Sequence, residues 1–143
     1  MYDDFETARK ILTSYRRFAI VGCSANPSRA SFRVATYLLG QGFEVIPVNP
    51  NEERIGDLDC FPELSSIPTE ELEVVDIFRR SEFAGKHVDE AIELGAKAIW
   101  MQLGVIDAAA ARRARDAGLD VVMDRCPAID HPLIRSNSRP TNS

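Results

Sequence analysis

The sequence predicts an α/β fold, a doubly wound sheet of five parallel strands with helices on both faces. Three observations carry that expectation. Five short, mostly apolar runs recur along the chain, each followed by a helical or irregular crossover, the alternation that buries a parallel sheet on both faces. The first run, Phe18 to Val21, enters Gly22 and a short polar loop before a helix-like pattern begins. The chain's 143 residues, 45% hydrophobic and 27% charged, suffice for one globular core.

In chain order, Asp3 and Glu6 have the spacing of a variant capping box, and Phe5, Ala8, Leu12 and Tyr15 form an apolar stripe, which predicts an N-terminal helix. The first strand is Arg17 to Val21. A helix follows over Ser31 to Gln41, ended by Gly40 and Gly42. The second strand is Phe43 to Val48. Between Glu52 and Glu73, Gly56, Pro62 and Pro68 exclude a long helix, leaving an irregular crossover with one short turn near Pro62 to Ser66. Val74 to Phe78 is the third strand, and Ser81 to Leu94 the next helix. Lys97 to Met101 is the fourth strand; Asp107 then caps a helix through Ala117, stopped by Gly118. Asp120 to Met123 is the fifth. Two prolines interrupt Asp124 to Ile134, and the polar residues 136–143 read as a frayed, flexible tail behind a single domain over 1–135. Right-handed crossovers give a Rossmann-like sheet, expected in the order 3-2-1-4-5, with a ligand crevice at the carboxyl ends of strands one and two.

Composition narrows the function classes. A net charge of −5 disfavours nucleic acid as a partner. No stretch resembles a signal peptide or the ~20 apolar residues of a membrane span, so a cytoplasmic protein is expected. Cys23, Cys60 and Cys126 lack metal-ligand spacing and read as reduced thiols, with no metal site expected.

The crevice gathers the residues with chemical meaning. Where a strand runs through a glycine turn into a helix, free backbone N–H groups and the helix dipole make an anion site. Gly22, Ser24 and Pro27 stand where a dinucleotide fold shows G-x-G-x-x-G, in degenerate form; Ser24 adds a hydroxyl and Arg29 a guanidinium suited to a diphosphate. A G-x-x-x-x-G-K-[ST] loop is absent, which excludes a P-loop hydrolase. Val48-Asn49-Pro50 ends the second strand without the acid that holds the ribose of NAD. Arg79 and Arg80 open a helix where positive charge opposes the dipole, a cost a bound anion would offset. Lys86 either joins them or faces water. Gln102, after the fourth strand, offers an amide to a ligand or braces its own loop. His87 and His131 have no evident acid or nucleophile partner and read as structural.

Together the segments Val21 to Ser31, Pro47 to Pro50, Val75 to Glu82, Ala98 to Val105 and Val121 to Cys126 resemble the small single-domain CoA-binding proteins, whose domain is similar to the N-terminal domain of the succinyl-CoA synthetase alpha subunit. The resemblance spans roughly residues 5–132. It implies a domain that holds coenzyme A or an acyl-CoA. Gly22, Ser24, Pro27 and Arg29 would form the diphosphate turn, and Asn49 and Pro50 would line the nucleotide pocket. Phe78, Arg79 and Arg80 would border the adenosine and its ribose phosphate, and Gln102 and Gly104 would sit nearer the pantetheine. The synthetase's second domain has no counterpart, so a carrier, sensor or accessory module is expected rather than a ligase, with no catalytic residue and His131 in no phosphohistidine role. A protein partner or a homo-oligomer is compatible with that role. The competing reading is an NAD(P)-binding oxidoreductase or regulatory domain. A hydrolase or transferase using Cys126 or His131 is disfavoured because neither has a recognisable base partner.

Overall fold

The computed structural model describes residues 4–138. Its elements run α1 (Asp4–Ser14), β1 (Arg17–Val21), α2 (Ala30–Gly40), β2 (Glu44–Val48), β3 (Arg54–Ile55), β4 (Leu58–Asp59), β5 (Val74–Ile77), α3 (Ser81–Glu93), β6 (Ala98–Met101), α4 (Ala108–Asp116), β7 (Asp120–Val122) and α5 (Pro127–Ser138). Asp3, half of the expected capping box, lies outside the described residues.

The five long-range strands form one parallel sheet, and side chains alternate across it as the pleat requires. Phe18, Ile20, Ala98 and Trp100 face α1, α2 and α5. Ala19, Val21, Val75, Ile77, Ile99 and Met101 face α3 and α4. The Rossmann-like α/β architecture with helices on both faces therefore stands.

The strand order does not. It is β2-β1-β5-β6-β7, so the third long strand lies beside the first rather than outside the second, and the expected 3-2-1-4-5 becomes 2-1-3-4-5. Right-handed crossovers allow both orders. Here the chain leaving β2 returns along its outer edge, where Phe61 bridges Val48 and donates its N–H to the Pro47 carbonyl at 2.9 Å. Pro47 sits on this edge strand, the position in a sheet where a missing N–H is tolerated. The winding consequently switches between β1 and β5. α2 leaves β1 toward one face and α3 leaves β5 toward the other, opening the crevice between their starts.

Two local expectations also change. The crossover holds a small hairpin, β3 and β4, turning through Gly56 and Asp57, besides short 3-10 turns at Leu64–Ser66 and Thr69–Glu71. Residues 124–134 are not merely an interrupted loop, because α5 starts at Pro127 and runs through Pro132. A proline at the first helical position loses no hydrogen bond, and its fixed φ suits a helix start. The helical backbone continues to Ser138, three residues into the segment read as a tail.

One buried acid stands without a hydrogen-bond partner among the described residues, unlike Asp130, which is paired with Arg125. Asp76 on β5 pairs in register with Ile20 and Trp100, is 0% exposed, and neither carboxyl oxygen has a hydrogen-bond partner among the described residues. Burial pushes its carboxyl well above the ordinary range, which favours the protonated form.

Candidate functional site

The site begins at Gly22, which ends β1 with φ +83°. Its N–H continues the sheet to the Val48 carbonyl at 2.9 Å, while the N–H of Phe78 reaches the Val21 carbonyl at 2.9 Å. Both neighbouring strands thus close on this turn. A Cβ here would lie 2.3 Å from the Phe78 carbonyl oxygen, so both the dihedral and the close approach require glycine.

The loop after Gly22 is braced by its own polar side chains. Ser24 donates its N–H to Ser31 Oγ at 2.9 Å and accepts the Asn26 N–H on Oγ at 3.0 Å; Asn26 Oδ1 accepts the N–H of Ser28 at 3.0 Å. Asn49, at the end of β2, ties the loops together. Its Nδ2 donates to the Cys23 carbonyl at 2.8 Å and its Oδ1 accepts the Asn51 N–H at 2.9 Å. Cys23 beneath the loop is fully buried, and burial pushes its thiol up to about 12, which keeps it unreactive.

A cleft of about 570 Å³ opens over the carboxyl ends of β2, β1 and β5. Arg29, Arg79, Arg80 and Lys86 line it against Glu63 and Glu90, an excess of positive charge in an acidic protein. Arg29 and Arg80 are the N-cap residues of α2 and α3, and neither helix start has a side-chain cap. The cleft therefore combines uncapped helix starts, two helix dipoles and cationic side chains, the elements of a phosphate site. Phe83 steadies the arginines, with Arg79 4.9 Å and Arg80 5.5 Å from its ring centre.

His87 also lines the cleft, with Nδ1 3.1 Å from Glu90 Oε1. Burial holds its pKa below the ordinary imidazole value. The Glu90 hydrogen bond opposes that shift, and the charges of Arg79 and Lys86 add to it. Among the described residues no cluster of His, Cys, Asp and Glu is arranged to hold a metal, and no helix is long and apolar enough to cross a membrane.

A family model described as a CoA binding domain matches residues 16–132, most of the chain. The protein belongs to the CoA-binding domain family. This CoA-binding domain is 31% identical to an uncharacterized protein, YneT, of Bacillus subtilis over 127 residues, 89% of this chain and 93% of that protein. It is similar to a solved structure of a hypothetical protein from Pyrococcus horikoshii, with 37% identity, a TM-score of 0.86 and coverage of 92% of both chains. It shares its fold with part of an acetyl-coenzyme A synthetase from Korarchaeum cryptofilum, at 23% identity and a TM-score of 0.69; the match covers 80% of this chain and 27% of the synthetase.

Seven of the eleven residues that the resemblance assigns to the ligand line the cleft of the CoA-binding domain, Gly22, Arg29, Asn49, Pro50, Phe78, Arg79 and Arg80, and Lys86 joins them. Ser24 and Pro27 sit in the braced loop and do not line it. Gln102 and Gly104 lie elsewhere on the same sheet edge. Gln102 borders a second cavity that shares Phe78 as a wall, whereas Gly104 donates its N–H to Asp124 Oδ1 at 2.7 Å and accepts from Ser81. Sequence reasoning missed His87, Glu63 and Leu64 as cleft residues. The signal for His87 was its spacing, since Phe83, Lys86, His87 and Glu90 share one face of α3 at i, i+3, i+4 intervals.

Proposed function

We propose that this CoA-binding domain holds coenzyme A or an acyl-CoA in the cleft over β2, β1 and β5, as a non-catalytic carrier, sensor or accessory module. The observation that carries the reading is the pair of helix starts, α2 and α3, that have arginine and no side-chain cap where they line the cleft. The diphosphate occupies the turn at Gly22 and Arg29. The ribose phosphate meets Arg79 and Arg80, with Lys86 one turn further along α3. His87 and Glu90 border the phosphates rather than perform chemistry.

An NAD-type ligand is less well served. The position of the ribose-binding acid is Asn49, and its carboxamide is already engaged with two backbone groups. Thermal denaturation with coenzyme A, NAD and NADP separates the readings. A ligand at 100 times its dissociation constant adds about 2.7 kcal/mol of native stability. Coenzyme A raises the midpoint and the nicotinamide nucleotides leave it unchanged; a shift with NAD alone would reverse the assignment.

A further inference from the structure

The outer face of α5 is unlike those of its neighbours. Elsewhere exposed helix positions carry charge, as at Glu6 and Lys10 on α1, Lys86 and Asp89 on α3, and Arg112 and Asp116 on α4. On α5 the exposed residues ahead of Arg135 are Ile129, Pro132 and Leu133, with Ile129 54% and Leu133 51% accessible. Their spacing sets them in one stripe along the helix. Leu103, exposed in the loop after β6, extends the patch, because it borders a groove of about 370 Å³ together with Ala128 of α5. An apolar stripe left in water on a chain that is 27% charged marks an interaction surface.

We infer that this face is where two copies of the chain pack, α5 against α5, antiparallel about a twofold axis. The stripe is complementary to itself in that arrangement, which sets each Ile129 against the Leu133 of a second copy. Charge follows the same register. Exposed Asp124 precedes the helix and exposed Arg135 stands near its other end, so the base of one copy approaches the acid of the other. The two helix dipoles then run in opposite directions, which is also favourable. Both charged groups are already held: Arg135 donates to Gln41 Oε1 at 2.7 Å, and Asp124 Oδ1 accepts the Gly104 N–H at 2.7 Å. Little side-chain freedom is therefore lost on association. The inference is independent of what fills the cleft.

Sedimentation equilibrium of the full chain tests this. The unaltered protein is expected as a dimer that dissociates on dilution. Leu133→Lys, at an exposed position outside the core, weakens the dimer by about a hundredfold, because each pair loses two buried leucines. Leu39→Lys, at an exposed leucine of α2, leaves dissociation unchanged. Disulfide trapping with diamide reads the register in a Cys60→Ser background, since Cys23 and Cys126 are buried. Ile129→Cys mixed with Leu133→Cys gives a cross-linked pair, whereas Leu133→Cys alone gives little. A mass of one chain at every concentration would overturn the inference. So would a dimer indifferent to Leu133→Lys, or trapping of Leu133→Cys with itself in preference to the mixed pair. A monomer that floats with phosphatidylglycerol vesicles but not with phosphatidylcholine vesicles would overturn it too, and would give the stripe to an anionic lipid surface.

Discussion

Helix starts along one edge of this sheet are finished in two different ways. α4 begins conventionally, with Asp107 as N-cap and its Oδ1 accepting the Ala110 N–H at 3.0 Å. α2 and α3 begin at Arg29 and Arg80, in extended conformations that suit a cap but with side chains that cannot accept a hydrogen bond. A conventional cap stabilises by about 1 kcal/mol, and a cation at that end costs roughly 0.3–1 kcal/mol against the dipole. The two starts lining the cleft thus forgo stability that α4 keeps. On the proposed function, a ligand's anionic groups supply the acceptors missing at these two starts, whereas α4 is a structural strut.

The largest effect that would sharpen this contrast comes from Gly22. Gly22→Ala forces a Cβ into the Phe78 carbonyl at a positive φ, and urea denaturation should show a loss on the order of 3 kcal/mol. A loss below about 0.5 kcal/mol would mean the turn yields easily and does not position the helix starts. Next come the cations. Arg79→Ala is expected to weaken coenzyme A by about tenfold to a hundredfold while stability stays within about 0.5 kcal/mol, and to weaken 3′-dephospho-CoA less. Equal losses for the two ligands would move the ribose phosphate away from Arg79.

A paired exchange tests the comparison itself. Arg80→Ser gives α3 an ordinary cap and should raise stability by about 1 kcal/mol while weakening coenzyme A; Asp107→Ala should lower stability by about 1 kcal/mol and leave coenzyme A affinity unchanged. If both changes move stability the same way, the cleft ends are not held short of their optimum.

The smallest effect concerns pH. Because the folded-state pKa of His87 lies below the unfolded value, the unfolded chain takes up the proton first, and stability declines as pH falls through the ordinary imidazole value of 6.5. His87→Gln removes that part of the decline. A bound phosphate favours the imidazolium, so coenzyme A affinity should rise over the same interval, read from the imidazole NMR titration with and without ligand. An unchanged titration would place the phosphates away from His87.

Much of the edge is legible in the sequence. The apolar runs announced every strand of the main sheet, and Asp107 announced its helix, because local pattern and tertiary role agree there. Strand order was not readable, since handedness permits both arrangements, and what places β5 beside β1 is the return of Phe61 along the edge of β2. That order decides the site, for it brings the Phe78 carbonyl against Gly22 and Arg79 into the cleft. The hairpin of β3 and β4 escaped notice because two-residue strands leave no periodicity to detect. α5 escaped because Pro127 reads as a breaker although it occupies the one helical position where proline is favoured. Asp76 lay hidden inside an apolar strand, where one carboxyl says nothing of its burial.

The most direct test is a crystal structure of the protein soaked in coenzyme A. The account predicts the diphosphate at the Gly22 turn, within hydrogen-bond reach of the first N–H groups of α2, and the ribose phosphate at Arg79 and Arg80. Density for the ligand at any other surface, or a cleft that stays closed to it at saturating concentration, would contradict the assignment.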